Sequence, residues 1–163
     1  MFQMQRVFCA TPWEMEAERM RFHEVIGRVN ETAAMPRGSL YVPVTLVNFR
    51  DKRPLQYVVD ENIRDCSYYI LLLADDWGPV ERNFRSDYHL ALECAANPAL
   101  PIQSVVVLRK QPAGAAASPA SLAPDLPEPH AAFSTIEEFD ECVGGLLTGW
   151  LESLTPRGSA SAG

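Results

Sequence analysis

The chain has 163 residues, 47% of them hydrophobic and 21% charged, with a formal net charge of −7. That length suits one domain whose core needs no disulfide or metal to fold. The acidic balance argues against a large nucleic-acid surface, which requires clustered Lys and Arg, although Arg50, Lys52 and Arg53 form a small local basic group. Cys9, Cys66, Cys94 and Cys142 lie far apart without a CxxC pair. They read as four reduced, mostly buried thiols in a reducing compartment, not as a zinc site. The start, MFQMQRVF, has no apolar h-region, and the longest apolar run is far too short to cross a bilayer. The expectation is a cytoplasmic chain that engages neither membrane nor nucleic acid.

Residues 6–10 (RVFCA) are apolar and β-prone and predict a first strand. Thr11 as a cap and Pro12 at the first helical position open a helix over 13–30. Its apolar stripe is Met15, Phe22, Ile26 and Val29, with Glu14, Glu16, Glu18, Arg19 and Arg21 mostly off it. Pro36 and Gly38 break the helix. Residues 42–49 (VPVTLVNF) predict a second strand, at an edge because Pro43 cannot donate to a ladder. A charged loop over 50–54 leads to a short helix over 55–66 carrying Val58, Val59 and Ile63. Residues 68–74 (YYILLLA) are apolar without alternation, the pattern of a central strand covered on both faces.

A polar loop over 75–85 follows. Ser86 caps a helix to about residue 96 with a buried stripe of Tyr88, Ala91, Leu92 and Ala95, and Asn97 and Pro98 stop it. Residues 102–108 (IQSVVVL) predict another buried strand. The β-α-β-α-β-α-β order calls for right-handed crossovers and a doubly wound, mainly parallel sheet of four to five strands in order 2-1-3-4. Residues 111–129, rich in Ala, Pro and Ser, read as a mobile loop. Residues 134–154 recover a helix. Ser134 and Glu137 match a capping box, and Phe139, Val143, Leu146, Leu147, Trp150 and Leu154 form the docking stripe. The domain is thus expected over 1–154, with a disordered tail over 155–163.

Ligands of open parallel sheets bind beyond the carboxyl ends of the strands, near the point where strand order reverses. Segments 9–13, 48–54 and 74–83 and the helix starting near Ser86 should meet there. The expected cleft is shallow and lined by Thr11, Trp13, Asn48, Asp75, Asp76 and Trp77. CATPWE contains no glycine, so neither GxGxxG nor a Walker loop can cradle a pyrophosphate, and binding should be weak. GxSxG is also absent. Asp75-Asp76-Trp77-Gly78 offers carboxylates to a ribose, a metal or a base, and reads equally as a polar turn in which Gly78 permits positive φ. Trp77 is a stacking platform or a core residue. No metal is expected. His23, His89 and His130 are dispersed. Glu93 stands four residues after His89, so the two could pair on one face. A desolvated Glu93 could act as nucleophile or base on a glycosidic bond, whereas its place off the apolar stripe fits a solvated residue.

In order along the chain, VFCATPWEMEAER, ENIRDCSYYILLLADDWG, SDYHLALECAANPALP and FSTIEEFDECVGGLLTGWL resemble the bacterial TIR-like domain-of-unknown-function family. The likeness spans roughly residues 5–154 apart from the Ala/Pro-rich loop. It implies a flavodoxin-like sheet in the broad group of TIR domains and nucleoside 2-deoxyribosyltransferases. Enzymatic members of that group cleave N-glycosidic bonds of nucleosides or NAD with a Glu near the start of the third helix. Here residues 88–90 are Tyr, His and Leu, and the first Glu is Glu93, about a turn later. The resemblance therefore implies a non-catalytic signalling or nucleotide-sensing module that works with a protein partner or by self-association. The alternative is an N-glycosidic hydrolase or transferase that uses Glu93 on NAD or a nucleoside. A receiver fits poorly, because Cys9-Ala10 does not supply the acidic pair expected after its first strand.

Overall fold

A computed structural model describes residues 1–44, 54–112 and 123–154. Among the described residues, five strands form one sheet: β1 (Gln3–Ala10), β2 (Ser39–Pro43), β3 (Tyr68–Leu73), β4 (Ser104–Lys110) and β5 (Ala131–Phe133). Their order is β2-β1-β3-β4-β5, with every neighbouring pair parallel. The helices are α1 (Glu16–Val29), α2 (Leu55–Asp65), α3 (Phe84–Ala95) and α4 (Ile136–Ser153). This is the doubly wound α/β architecture of flavodoxin-like type, with the expected 2-1-3-4 order extended by β5.

The six residues of β3 are all buried and divide between two cores. Tyr68, Ile70 and Leu72 join Val7, Phe22, Val25, Phe139 and Leu147 on the side covered by α1 and α4. Tyr69, Leu71 and Leu73 join Phe8, Val59, Ile63 and Ala91 on the side of α2 and α3. Each such aliphatic or aromatic side chain contributes about 1.5–3 kcal/mol on burial, which makes the central strand the axis of the fold. On the α4 side, Trp150 stacks on Tyr68 at 4.0 Å and 7°, and the Tyr41 hydroxyl donates to the Leu147 carbonyl at 2.6 Å.

Several local expectations are corrected. β1 starts at Gln3, because β2 pairs with it from Gln3↔Ser39 onward. β2 begins before residue 42 and ends at Pro43 on the sheet edge, where a missing N–H costs no ladder bond. Thr11 does not cap α1: its hydroxyl turns back to the Cys9 carbonyl at 3.4 Å, and Pro12 leads into a 3-10 turn over Trp13–Met15. Helical backbone continues beyond residue 30 through a π turn and a second 3-10 turn, until Gly38 at φ 75° ends it. β4 lies two residues later than expected, which places Arg109 and Lys110 at its carboxyl end.

α3 starts at Phe84, ahead of Ser86, and buries Phe84, Asp87, Ala91 and Cys94, while Leu92 is exposed. The large Phe84 ring fixes the inward face, and that rotation carries Leu92 outward. α4 is capped by Thr135, not Ser134. The Thr135 hydroxyl accepts from the Glu138 N–H at 3.1 Å, and the Glu138 carboxylate accepts from the Ser134 N–H at 3.0 Å. Leu151 completes the buried stripe of α4.

Within the expected mobile loop, the Ala123 N–H donates to the Asp75 carbonyl at 2.9 Å. Asp125 lies 3.0 Å from Arg85, and Leu126 packs against the core on the α2/α3 side. Residues 113–122 of that loop, the segment 45–53 with Asn48, and the tail 155–163 lie outside the described residues. Among the described residues, no helix is long and apolar enough to cross a membrane.

Candidate ligand cleft

The chain runs from β1 outward to β2 and then back to β3 on the other side of β1, so strand order reverses between β1 and β3. A cleft of about 290 Å³ opens at the carboxyl ends of these strands. The turn after β1 supplies Pro12, Glu14 and Met15; the loop after β3 supplies Ala74, Asp75, Asp76 and Gly78; the end of β4 supplies Lys110. Three carboxylates thus face one ammonium, a balance that suits hydroxyl-bearing ligands better than polyphosphates.

The loop after β3 is held in three ways. The Asp76 carboxylate accepts from the Gly78 N–H at 2.8 Å, closing a tight turn. Gly78 has φ 80°, and a Cβ there would lie 3.2 Å from the Phe84 ring. Asp75 lies 3.7 Å from Arg109 Nη2, an ion pair too long for a hydrogen bond. Arg109 is largely buried, and its Nε and Nη2 have no hydrogen-bond partner among the described residues.

On the other side of the cleft, Lys110 Nζ donates to Glu18 Oε1 at 2.6 Å. Glu18 is 4% exposed, and its Oε2 has no hydrogen-bond partner among the described residues. Glu18 was expected off the buried face of its helix. The structure instead turns it inward beside Met15 and Phe22.

No protein-family model matches the chain, and no curated protein sequence matches it.

Of the residues expected there, Asp75 and Asp76 line the cleft. Thr11 is buried immediately before Pro12, with its hydroxyl engaged by Cys9. Trp13 opens the 3-10 turn at the cleft's edge. Trp77 does not line the cleft: it packs against Tyr88, ring centroids 5.9 Å apart, and against the α2/α3 core. Its buried indole N–H has no partner among the described residues. Glu93 is exposed on α3, outside the cleft lining. Burial pushes the Cys9 thiol up to about 12, opposed by the Thr11 hydrogen bond, which disfavours the thiolate at neutral pH. All four cysteines are free. Among the described residues, no group of three or more metal-ligating side chains is placed to hold an ion.

Glu14, Glu18, Arg109 and Lys110 were missed as site residues. A signal existed for two of them: the basic pair following VVVL sits where a parallel sheet presents its ligand end. Asp87 was also missed. It is buried in the first turn of α3, and its Oδ1 accepts from Gln56 Nε2 at 2.8 Å. The same nitrogen donates to Asp60 Oδ1 at 2.8 Å. Burial pushes the Asp87 carboxyl up to about 6, opposed by the Gln56 hydrogen bond and aided by the Asp60 charge. Nearby, the fully buried Tyr69 hydroxyl has no partner among the described residues, and burial holds its phenol well above the ordinary value. This polar cluster lies between α2 and α3, outside the cleft lining.

Proposed function

We propose that this chain is a TIR-like signalling or nucleotide-sensing module, whose cleft takes a nucleoside-type ligand without cleaving it. The observation that carries the reading is the cleft at the β1/β3 reversal, lined by Glu14, Asp75 and Asp76 and lacking a glycine phosphate loop. Carboxylates accept hydrogen bonds from sugar hydroxyls and repel phosphate, so the sugar and base supply the contacts. The sequence resemblance to TIR-like domains supports the same class of ligand. Occupancy is then passed to a protein partner or a second copy of the chain.

A second reading, N-glycosidic hydrolysis or transfer on NAD or a nucleoside, draws on Asp87. A carboxyl in the first turn of α3 that titrates at about 6 can protonate a leaving base. Its position outside the cleft lining places this reading second.

The test is calorimetric titration with adenosine and NAD, with chromatography of the same mixtures for released base. The proposal predicts binding without product and no effect of Glu93→Gln on binding. Product formation abolished by Glu93→Gln would assign catalysis to Glu93. Product formation abolished by Asp87→Asn would assign it to Asp87. Either result replaces the sensing module with an enzyme.

A further inference from the structure

We infer that Glu18 and Lys110 together read a pair of adjacent hydroxyls, the vicinal diol of an uncharged ribose end, at the back of the cleft. This rests on the nucleoside reading above and adds the group recognised and the residues that recognise it.

Glu18 lies in the first turn of α1, immediately after the 3-10 turn whose Glu14 and Met15 line the cleft, and is ion-paired with the cleft residue Lys110. It is 4% exposed, and Lys110 engages only Oε1. A buried carboxylate oxygen without a donor is costly, and a purely structural pair has no reason to retain one. Asp140 shows the structural solution in the same protein: Oδ1 accepts from Arg28 and Oδ2 from both Arg28 and Arg21. Glu18 Oε2 has no such donor among the described residues.

Lys110 contributes the complementary half. Its ammonium has three N–H donors, of which Glu18 takes one. Its side chain is 39% exposed and lines the cleft. Glu18 Oε2 is buried, and for a ligand to reach it the flexible, partly exposed Lys110 arm, which pairs with Oε1 of the same carboxylate, must shift. An acceptor beside spare donors matches two neighbouring hydroxyls, each of which both donates and accepts. A phosphate would satisfy Lys110 but would leave Glu18 without a donor and face Glu14, Asp75 and Asp76 as like charges.

The experiment compares adenosine with 2′,3′-dideoxyadenosine by calorimetry on the full chain, as wild type, Glu18→Gln and Lys110→Met, with circular dichroism melts as a folding control. Wild type should bind adenosine about tenfold or more tightly than the dideoxy analogue, the loss expected for a hydrogen bond to a charged group. Both variants should lose that discrimination. If Glu18→Gln fails to fold, the wild-type comparison and Lys110→Met decide. Equal binding of the two nucleosides by wild type, or full discrimination by folded variants, overturns the diol inference and leaves the nucleoside reading intact. No binding of either nucleoside overturns that reading and this inference with it.

Discussion

Asp140 on α4 grips Arg28 on α1 at two points, Oδ1 to Nη2 at 2.6 Å and Oδ2 to Nη1 at 3.1 Å. Arg21 adds a third contact at 3.2 Å. This clamp fixes the helix that carries Glu18 in its first turn and follows the 3-10 turn bearing the cleft residues Glu14 and Met15. Arg28 is half exposed, so the clamp is modest: Asp140→Asn should cost about 1 kcal/mol at neutral pH. The arginines hold the Asp140 carboxyl below its ordinary range. A depressed folded value means the contribution is present above the unfolded carboxylate pKa, about 4, and lost as pH falls through the folded value. Urea melts of the two proteins should therefore differ at neutral pH and converge near pH 2. A gap that persists in acid would show that the clamp works through packing instead of charge.

Asp87 carries the opposite sign. Its folded value, about 6, stands above the unfolded one. Its favourable contribution is complete below about pH 4 and lost as pH rises through the folded value, leaving a cost at neutrality. Asn keeps an oxygen for the Gln56 amide and removes the charge. Asp87→Asn should be more stable than wild type by about 1–3 kcal/mol at neutral pH and indistinguishable from it near pH 4. Denaturant midpoints at the two pH values check this, and a destabilised variant at neutral pH would contradict it.

Gly78 links cleft and core. Its φ of 80° and the 3.2 Å approach a Cβ would make to Phe84 both oppose a side chain. Gly78→Ala should destabilise the domain by about 1–3 kcal/mol, the usual cost of a strained backbone position. Thermal melting measures it, and a change within about 0.5 kcal/mol, typical of open surface sites, would mean that the turn relaxes freely.

The alternation of apolar runs with amphipathic helices made the parallel sheet and its order legible, because β3 had to be covered on both faces and every crossover needed a helix. β5 was not legible: AAF is too short to show a period. The rotation of α3 was missed because Leu92 outranks Asp87 in any hydrophobic count, although Phe84, Asp87 and Ala91 share helical spacing. Glu18 was hidden for a related reason. A carboxylate in an acidic helix reads as solvated until its partner is known, and Lys110 becomes its neighbour only when β4 is placed beside β3. Asp75 and Asp76 were legible from topology, since any loop after a central strand emerges at the ligand end. The direction Trp77 takes from that loop depends on tertiary packing with Tyr88.

A nucleoside is proposed to occupy the cleft between the turns after β1 and β3, and a two-dimensional amide NMR titration of the full chain with adenosine tests this most directly. Progressive shifts should be concentrated at Met15, Asp75, Asp76, Gly78 and Lys110, with the exposed face of α3 around Glu93 unmoved. Unchanged spectra at millimolar adenosine, or shifts confined to α3 and distant surfaces, would contradict it.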